Sequence, residues 1–199
     1  EEWIVAAHLQ MNQKLVKIFM AAPLDKEDVQ HLAQEKTRIS WDATTGELVA
    51  RKEKCIGDIV TGFKVITTIS QDELLPILIE AVKSDGESLL SWSDDVNQLQ
   101  RRLELVKHNQ NEKVWPEFST ASLLANADNL LAPYLTNKFR KKDDFKKLNL
   151  LEILTAQLSW EQQQELEKLA PSRLEVPTGS MIKIEYQEHG APPILSVRL

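Results

Sequence analysis

The chain has 199 residues, of which 24 are basic and 30 acidic for a net charge of −6, and 42% are hydrophobic. That length predicts one large domain or two small ones, and that composition belongs to globular proteins that bury a core. The acidic balance excludes a wholly basic, tail-like mode of polyanion binding, although a local basic patch acts through its own field whatever the total. A single cysteine, Cys55, excludes an intrachain disulfide and a zinc site built on paired cysteines; it predicts a reducing compartment and a small buried side chain. The longest apolar stretch, residues 74–82, is broken by Pro76 and Glu80 and is too short to span a bilayer. Glu1-Glu2-Trp3 has no basic n-region, so the cytoplasm is the expected location. Apolar runs at both ends, residues 3–9 and 194–199, predict a piece cut from a longer protein, since native termini are usually polar.

Residues 1–70 read as a small β domain. Apolar runs at 3–9 and 16–20 predict strands, the second ended by Pro23. Asp25 is placed to cap a short helix whose face carries Val29, Leu32 and Ala33. Residues 38–42 and 47–51 flank Ala43-Thr44-Thr45-Gly46, a hairpin whose glycine takes the positive φ of a tight return. A further strand is expected over 63–68. About five short strands and one small helix predict a small barrel, OB-like in the first instance.

At Ser70 the period changes. Ser70 and Glu73 fit a capping box, which opens a helix to about Ser84 with Gly86 as its stop. Val96, Leu99, Leu103 and Val106 mark one helical face. Trp115-Pro116 breaks the chain, and three more helices are expected around 123–131, 144–158 and 160–169, giving a five-helix bundle over 71–170. Residues 171–199 return to strand: 173–176, a turn at Pro177-Thr178-Gly179, 181–186, and a third strand at 194–199. The fold class is therefore α+β, with domains 1–70, 71–170 and a terminal strand segment 171–199 that begins a truncated extension.

No self-contained active site is written. The six glycines stand at 46, 57, 62, 86, 179 and 190, which allows neither a phosphate loop nor a dinucleotide fingerprint. Asp72-Glu73-Leu74-Leu75 reads as helix capping, and the four histidines are scattered. Binding features are clearer. Residues 138–147 carry Lys138, Arg140, Lys141, Lys142, Lys146 and Lys147 against Asp143 and Asp144, a charge fit for phosphates. Phe139 and Phe145 are interleaved there, either to stack on bases or to sit in the core. Arg51, Lys52 and Lys54 form a second basic group on a barrel strand, either a binding face or a guard against edge pairing. Arg101 and Arg102 are expected in solvent-facing salt bridges. Trp41, Trp92, Trp115 and Trp160 lie near element boundaries, where packing onto the core is the favoured role.

The residues from Leu158-Ser159-Trp160-Glu161 to Leu169-Ala170-Pro171, then Val176-Pro177-Thr178-Gly179-Ser180, Ile184-Glu185-Tyr186, Pro192-Pro193 and Ser196-Val197-Arg198, resemble the C-terminal region of HrpB-type ATP-dependent helicases. These are bacterial members of the DEAH-box branch of superfamily 2. Phe19 to Asp25, Ile39-Ser40-Trp41-Asp42 with Gly46, Leu90-Ser91-Trp92-Ser93 and Trp115-Pro116 resemble that family in the same order. The resemblance implies an OB-like domain followed by part of a family-specific extension, lying after two ATPase domains. It implies ATP and magnesium for the parent but no cofactor here, because the motor's residues match nothing in this chain. The implied partners are single-stranded nucleic acid, RNA by the resemblance, and the parent's own motor, with no membrane. The alternative is an interaction scaffold that packs on the motor or recruits a partner without touching nucleic acid. Its support is the surplus of acid over residues 71–170, 17 acidic side chains against 12 basic.

Overall fold

The computed structural model describes residues 3–12, 15–109 and 114–197. Among them the chain is a mixed α+β protein with three small antiparallel sheets and several helices. It divides into two compact units, residues 1–40 with 49–69 and residues 41–48 with 70–199.

In the first unit β1 (Ile4–Asn12) and β2 (Leu15–Pro23) pair antiparallel as a sheet of their own, with register shifts around His8. α1 (Lys26–Leu32) follows Asp25, which has the extended backbone of an N-cap but makes no side-chain capping bond. β3 (Gln34–Asp42), β4 (Glu47–Ile56) and β5 (Ile59–Val65) form the second sheet in that order. The described strands thus lie in separate sheets and do not close into a barrel. Closure needs one inward stripe on every strand. β2 is exposed along its whole length, and Val16 and Phe19, an odd number of residues apart, lie on opposite faces of it with both exposed. The hairpin between β3 and β4 forms as expected: Gly46 has φ +68°, and its amide donates to the Asp42 carbonyl at 2.8 Å. The next strand begins at Ile59, earlier than expected, because Gly57 at φ +59° makes a second tight turn. Cys55 is buried, as a lone small hydrophobe should be.

The second unit carries the larger core. The capping box of Ser70 and Glu73 opens α2 (Gln71–Leu89), which buries Leu74, Leu78, Val82 and Leu89. The expected stop at Gly86 is wrong; the glycine lies inside the helix and is buried there. Its carbonyl accepts from Trp92 Nε1 at 3.2 Å, so the residue marks a close approach and not an end. α3 (Asp94–Asn109) buries Val96, Leu99, Leu103 and Val106, the face their spacing defines. The helices expected over 123–131 and 144–158 are replaced by four shorter ones, α4 (Thr120–Ala125), α5 (Ala127–Leu130), α6 (Lys142–Phe145) and α7 (Leu150–Thr155), while α8 (Trp160–Leu169) has its expected bounds. A capping side chain makes the second break. Asn149 accepts the Glu152 amide at 3.3 Å to start α7, splitting the helix expected over 144–158. Asn126 separates α4 from α5.

Trp115 is buried, but Trp160 is 72% exposed, which corrects its expected packing role. It stands six positions before Leu166, the buried residue of α8, or about 240° around the helix. β6 (Arg173–Glu175) and β7 (Met181–Lys183) form the third sheet, joined through Gly179 at φ +79°. The expected third strand reduces to one bridge, Glu185 to Ile194; Arg198 and Leu199 lie outside the described residues. Tyr186 pins this segment to the helices, its amide donating to Gln98 Oε1 at 2.9 Å and its hydroxyl to the Pro171 carbonyl at 2.7 Å. Arg102 meets its expectation in part. Its own side chain is only 12% exposed, but its partner Glu167, at 2.5 Å, is 52% exposed, so the expected salt bridge forms with the arginine end enclosed and the carboxylate end open to solvent. No helix among the described residues is long and apolar enough to cross a membrane.

Candidate nucleic-acid interface

Two basic groups stand in the chain, one in each unit. In the second unit residues 138–147 form a strap against the β3–β4 turn. Leu48 donates its amide to the Arg140 carbonyl at 2.7 Å, and the Lys142 amide donates to the Gly46 carbonyl at 2.8 Å. A β-bridge pairs Glu47 with Lys141. A Cβ on Gly46 would stand 3.2 Å from Lys142 Cβ, so this backbone fit uses both the glycine's small size and its positive φ. Beneath the strap Phe145 packs edge-on against Trp41 and Phe139, at centroid distances of 5.3 and 5.1 Å. Both phenylalanines are buried, which rules out the base-stacking alternative for them and leaves the core reading.

The strap's charges are partly committed. Asp144 accepts the backbone amides of Arg140 and Lys141 at 3.1 and 3.2 Å and the Lys147 ammonium at 2.8 Å. The Lys147 hydrogen bond is the main reason the Asp144 carboxyl lies below its usual range, helped by the two amides against a partial burial. Asp144 in turn raises Lys147. Arg140 and Lys142 are half-buried, whereas Lys138, Lys141 and Lys146 are exposed. These three are the side chains best placed to meet a polyanion.

In the first unit the register of β4 divides the residues that the sequence groups together. Arg51 pairs with Val65 and Lys52 with Lys64, so Arg51 points to one face and Lys52 with Lys54 to the other. Arg51 lies over the Phe63 ring, 5.1 Å from its centroid, and shares its face with the buried Glu53, which Arg38 Nε approaches at 3.5 Å. On the opposite face Lys52 Nζ pairs with Glu35 Oε2 at 2.5 Å. Sequence reasoning missed Lys64 and Glu35. Nothing in their local pattern marks them, because only the strand register brings them beside Lys52.

Glycine placement allows no phosphate loop, and no group of three or more histidine, cysteine or carboxylate side chains among the described residues is arranged to hold a metal.

Residues 130–199 match the HrpB_C family, described as the ATP-dependent helicase C-terminal region. The ATP-dependent RNA helicase HrpB of Escherichia coli K12 is 30% identical over 204 residues, covering all of this chain and 25% of that protein. A crystal structure of the E. coli DExH-box NTPase HrpB superposes with a TM-score of 0.65 at 30% identity, over 99% of this chain and 25% of the other. A second, of the E. coli DEAH/RHA helicase HrpB, gives 0.63 at 28% identity, over 98% and 25%. The chain thus spans about a quarter of the length of the relatives it matches.

Proposed function

The chain corresponds to the C-terminal region of the HrpB helicases, and from that premise we propose that it is an accessory module of an ATP-dependent RNA helicase. It braces the motor and contributes to the binding of single-stranded nucleic acid in the cytoplasm. The observation that carries this reading is the end-to-end correspondence with a quarter of HrpB at 30% identity. The first unit is then an open relative of an OB domain, and ATP with magnesium belongs to the helicase's other domains.

Bracing is supported by the β1–β2 hairpin. It leaves Ile4, Leu9, Met11, Leu15, Val16 and Phe19 exposed, more apolar surface than an isolated two-stranded sheet sustains in water. Polyanion binding is supported by the exposed lysines of the strap and of β4. The test is binding of a labelled single-stranded RNA by the chain across a salt series. Affinity that falls steeply with salt supports the reading, and no binding at low salt and high protein concentration rejects direct contact.

A second reading, a scaffold that touches no nucleic acid, is favoured by the ion pairs that already occupy Lys52 and Lys147. It predicts that changing Arg140, Lys141 and Lys142 together to glutamate leaves the nucleic-acid affinity of the whole helicase unchanged.

A further inference from the structure

The face of the second sheet that carries Lys52 has an arrangement that sheet stability alone disfavours. Lys52 on β4 and Lys64 on β5 are direct antiparallel partners, and like charges directly opposite each other destabilise a ladder. Lys54 stands two residues along the same face, about 7 Å from Lys52. Three ammonium groups are thus gathered on one exposed face. The counter-charge comes from β3: Glu35 bonds Lys52 at 2.5 Å. The hydrogen bond and charge of Lys52 hold the Glu35 carboxyl below its usual range, and the charges of Lys54 and Lys64 lower it further. Among the described residues, Glu35 is the carboxylate that answers these three cations.

The surroundings are open. Gly62 is the partner of Lys54, and a Cβ there would meet nothing within 4 Å. The aromatic ring of β5, Phe63, pairs with Glu53 and not with the lysines, so it faces the other side with Arg51. The lysine face has compact point charges and no ring from β5 on which a base would stack.

We propose that Lys52, Lys54 and Lys64 form a phosphodiester-binding site, with Glu35 as a built-in competitor that occupies the site until a nucleic-acid backbone displaces it. This rests on the reading of the chain as a single-strand binder, and adds to it the contact residues, the chemistry recognised and a brake on affinity. Contacts of this kind position a strand without reading its sequence. The site therefore takes single strands of any base composition. Glu35 keeps occupancy low unless several phosphates arrive together.

The test is fluorescence anisotropy of labelled oligouridylate and oligoadenylate on the chain, over a salt series, with thermal melts of every variant. Lys64→Gln is expected to weaken both oligonucleotides several-fold and to reduce the salt slope by about 0.7, the share of one phosphate contact on a single strand. Its melting temperature is expected to hold or rise, because a like-charge pair is removed; this separates lost binding from lost folding. Glu35→Gln is expected to tighten binding several-fold. Lys26→Gln, the same charge change on α1, serves as the control and is expected to leave affinity near the wild type. If the wild type binds but Lys64→Gln binds equally well, or Glu35→Gln fails to tighten binding, the site assignment falls while the single-strand reading stands. If the wild type itself does not bind at low salt, both fall.

Discussion

Leu124 of α4 packs onto the Cα of Gly86 in the interior of α2: a methyl group built on the glycine would collide with Leu124 Cδ2 and stand 3.3 Å from Val82 Cγ1. Glycine costs a helix interior about 1 kcal/mol relative to alanine, so its presence there needs a compensating fit. Overpacking a filled core costs about 1–3 kcal/mol, which exceeds the propensity gain. Gly86→Ala is therefore expected to destabilise the chain by about 1 kcal/mol in urea unfolding. In a Leu124→Ala background the collision is gone, and the same change is expected to be neutral or stabilising. A G86A that stabilises the wild type would show that Leu124 yields without cost.

The Arg102–Glu167 pair ties α3 to the residues after α8. Arg102 Nε donates to the Ala170 carbonyl at 2.6 Å, and Glu167 accepts the Ser172 amide at 2.9 Å and its hydroxyl at 3.0 Å. Burial raises the Glu167 carboxyl, but the Ser172 hydrogen bonds and the Arg102 charge outweigh it and leave the group below its usual value. A lowered folded-state value means stability that is complete above the unfolded carboxylate range and lost as pH falls through the folded value. Glu167→Gln is expected to lower stability at pH 7 by about 1 kcal/mol, because solvent screens the half-exposed carboxylate, and to flatten the acid limb of a stability–pH profile. Arg102 is nearly enclosed, so its unpaired charge makes up much of that loss. An unchanged acid limb would show that Glu167 takes no part in it.

The sequence makes the local elements legible where one residue type has one physical use. The capping box at Ser70, the 3–4–3 spacing of α3, and the Gly46 turn all appear as read. Where a residue has two uses, the tertiary contact decides. Gly86 reads as a helix stop and serves as a packing gap; Phe139 and Phe145 read as stacking or core and are core. The two helices expected over 123–131 and 144–158 become shorter pieces; at the second break the Asn149 side chain caps α7 in place of helix continuation. The basic strand residues are misgrouped for a further reason. Alternation separates Arg51 from Lys52, and partnership with Lys64 depends on register, which local pattern does not specify.

The β1–β2 hairpin predicts how the chain behaves by itself. Met11 and Val16 are direct partners on it and both are exposed. Such surface without a covering element promotes association. The chain is expected to bind a hydrophobic dye and to self-associate at high concentration. Met11→Thr with Val16→Thr is expected to reduce both, with little change in the melting of the second unit. Light scattering and dye fluorescence check this. A monodisperse wild type that binds no dye would mean the hairpin needs no cover, which would remove the support it lends to bracing.

The strap offers a cleaner probe than its charge count implies. Arg140 and Lys142 hold the β3–β4 turn through their backbones, and Lys147 is paired with Asp144. Changing all six basic residues would therefore mix lost packing with lost charge. Lys138, Lys141 and Lys146 are exposed like Lys147 but stand outside its ion pair, and their joint change to glutamine leaves the buried phenylalanines untouched. If the strap meets nucleic acid, the triple variant should lower the salt slope by about 2, at about 0.7 for each contact. Affinity at low salt should fall at least tenfold, while the melting temperature stays within a few degrees of wild type. Unchanged binding would assign the strap to packing alone and leave Lys52, Lys54 and Lys64 as the polyanion surface of the chain.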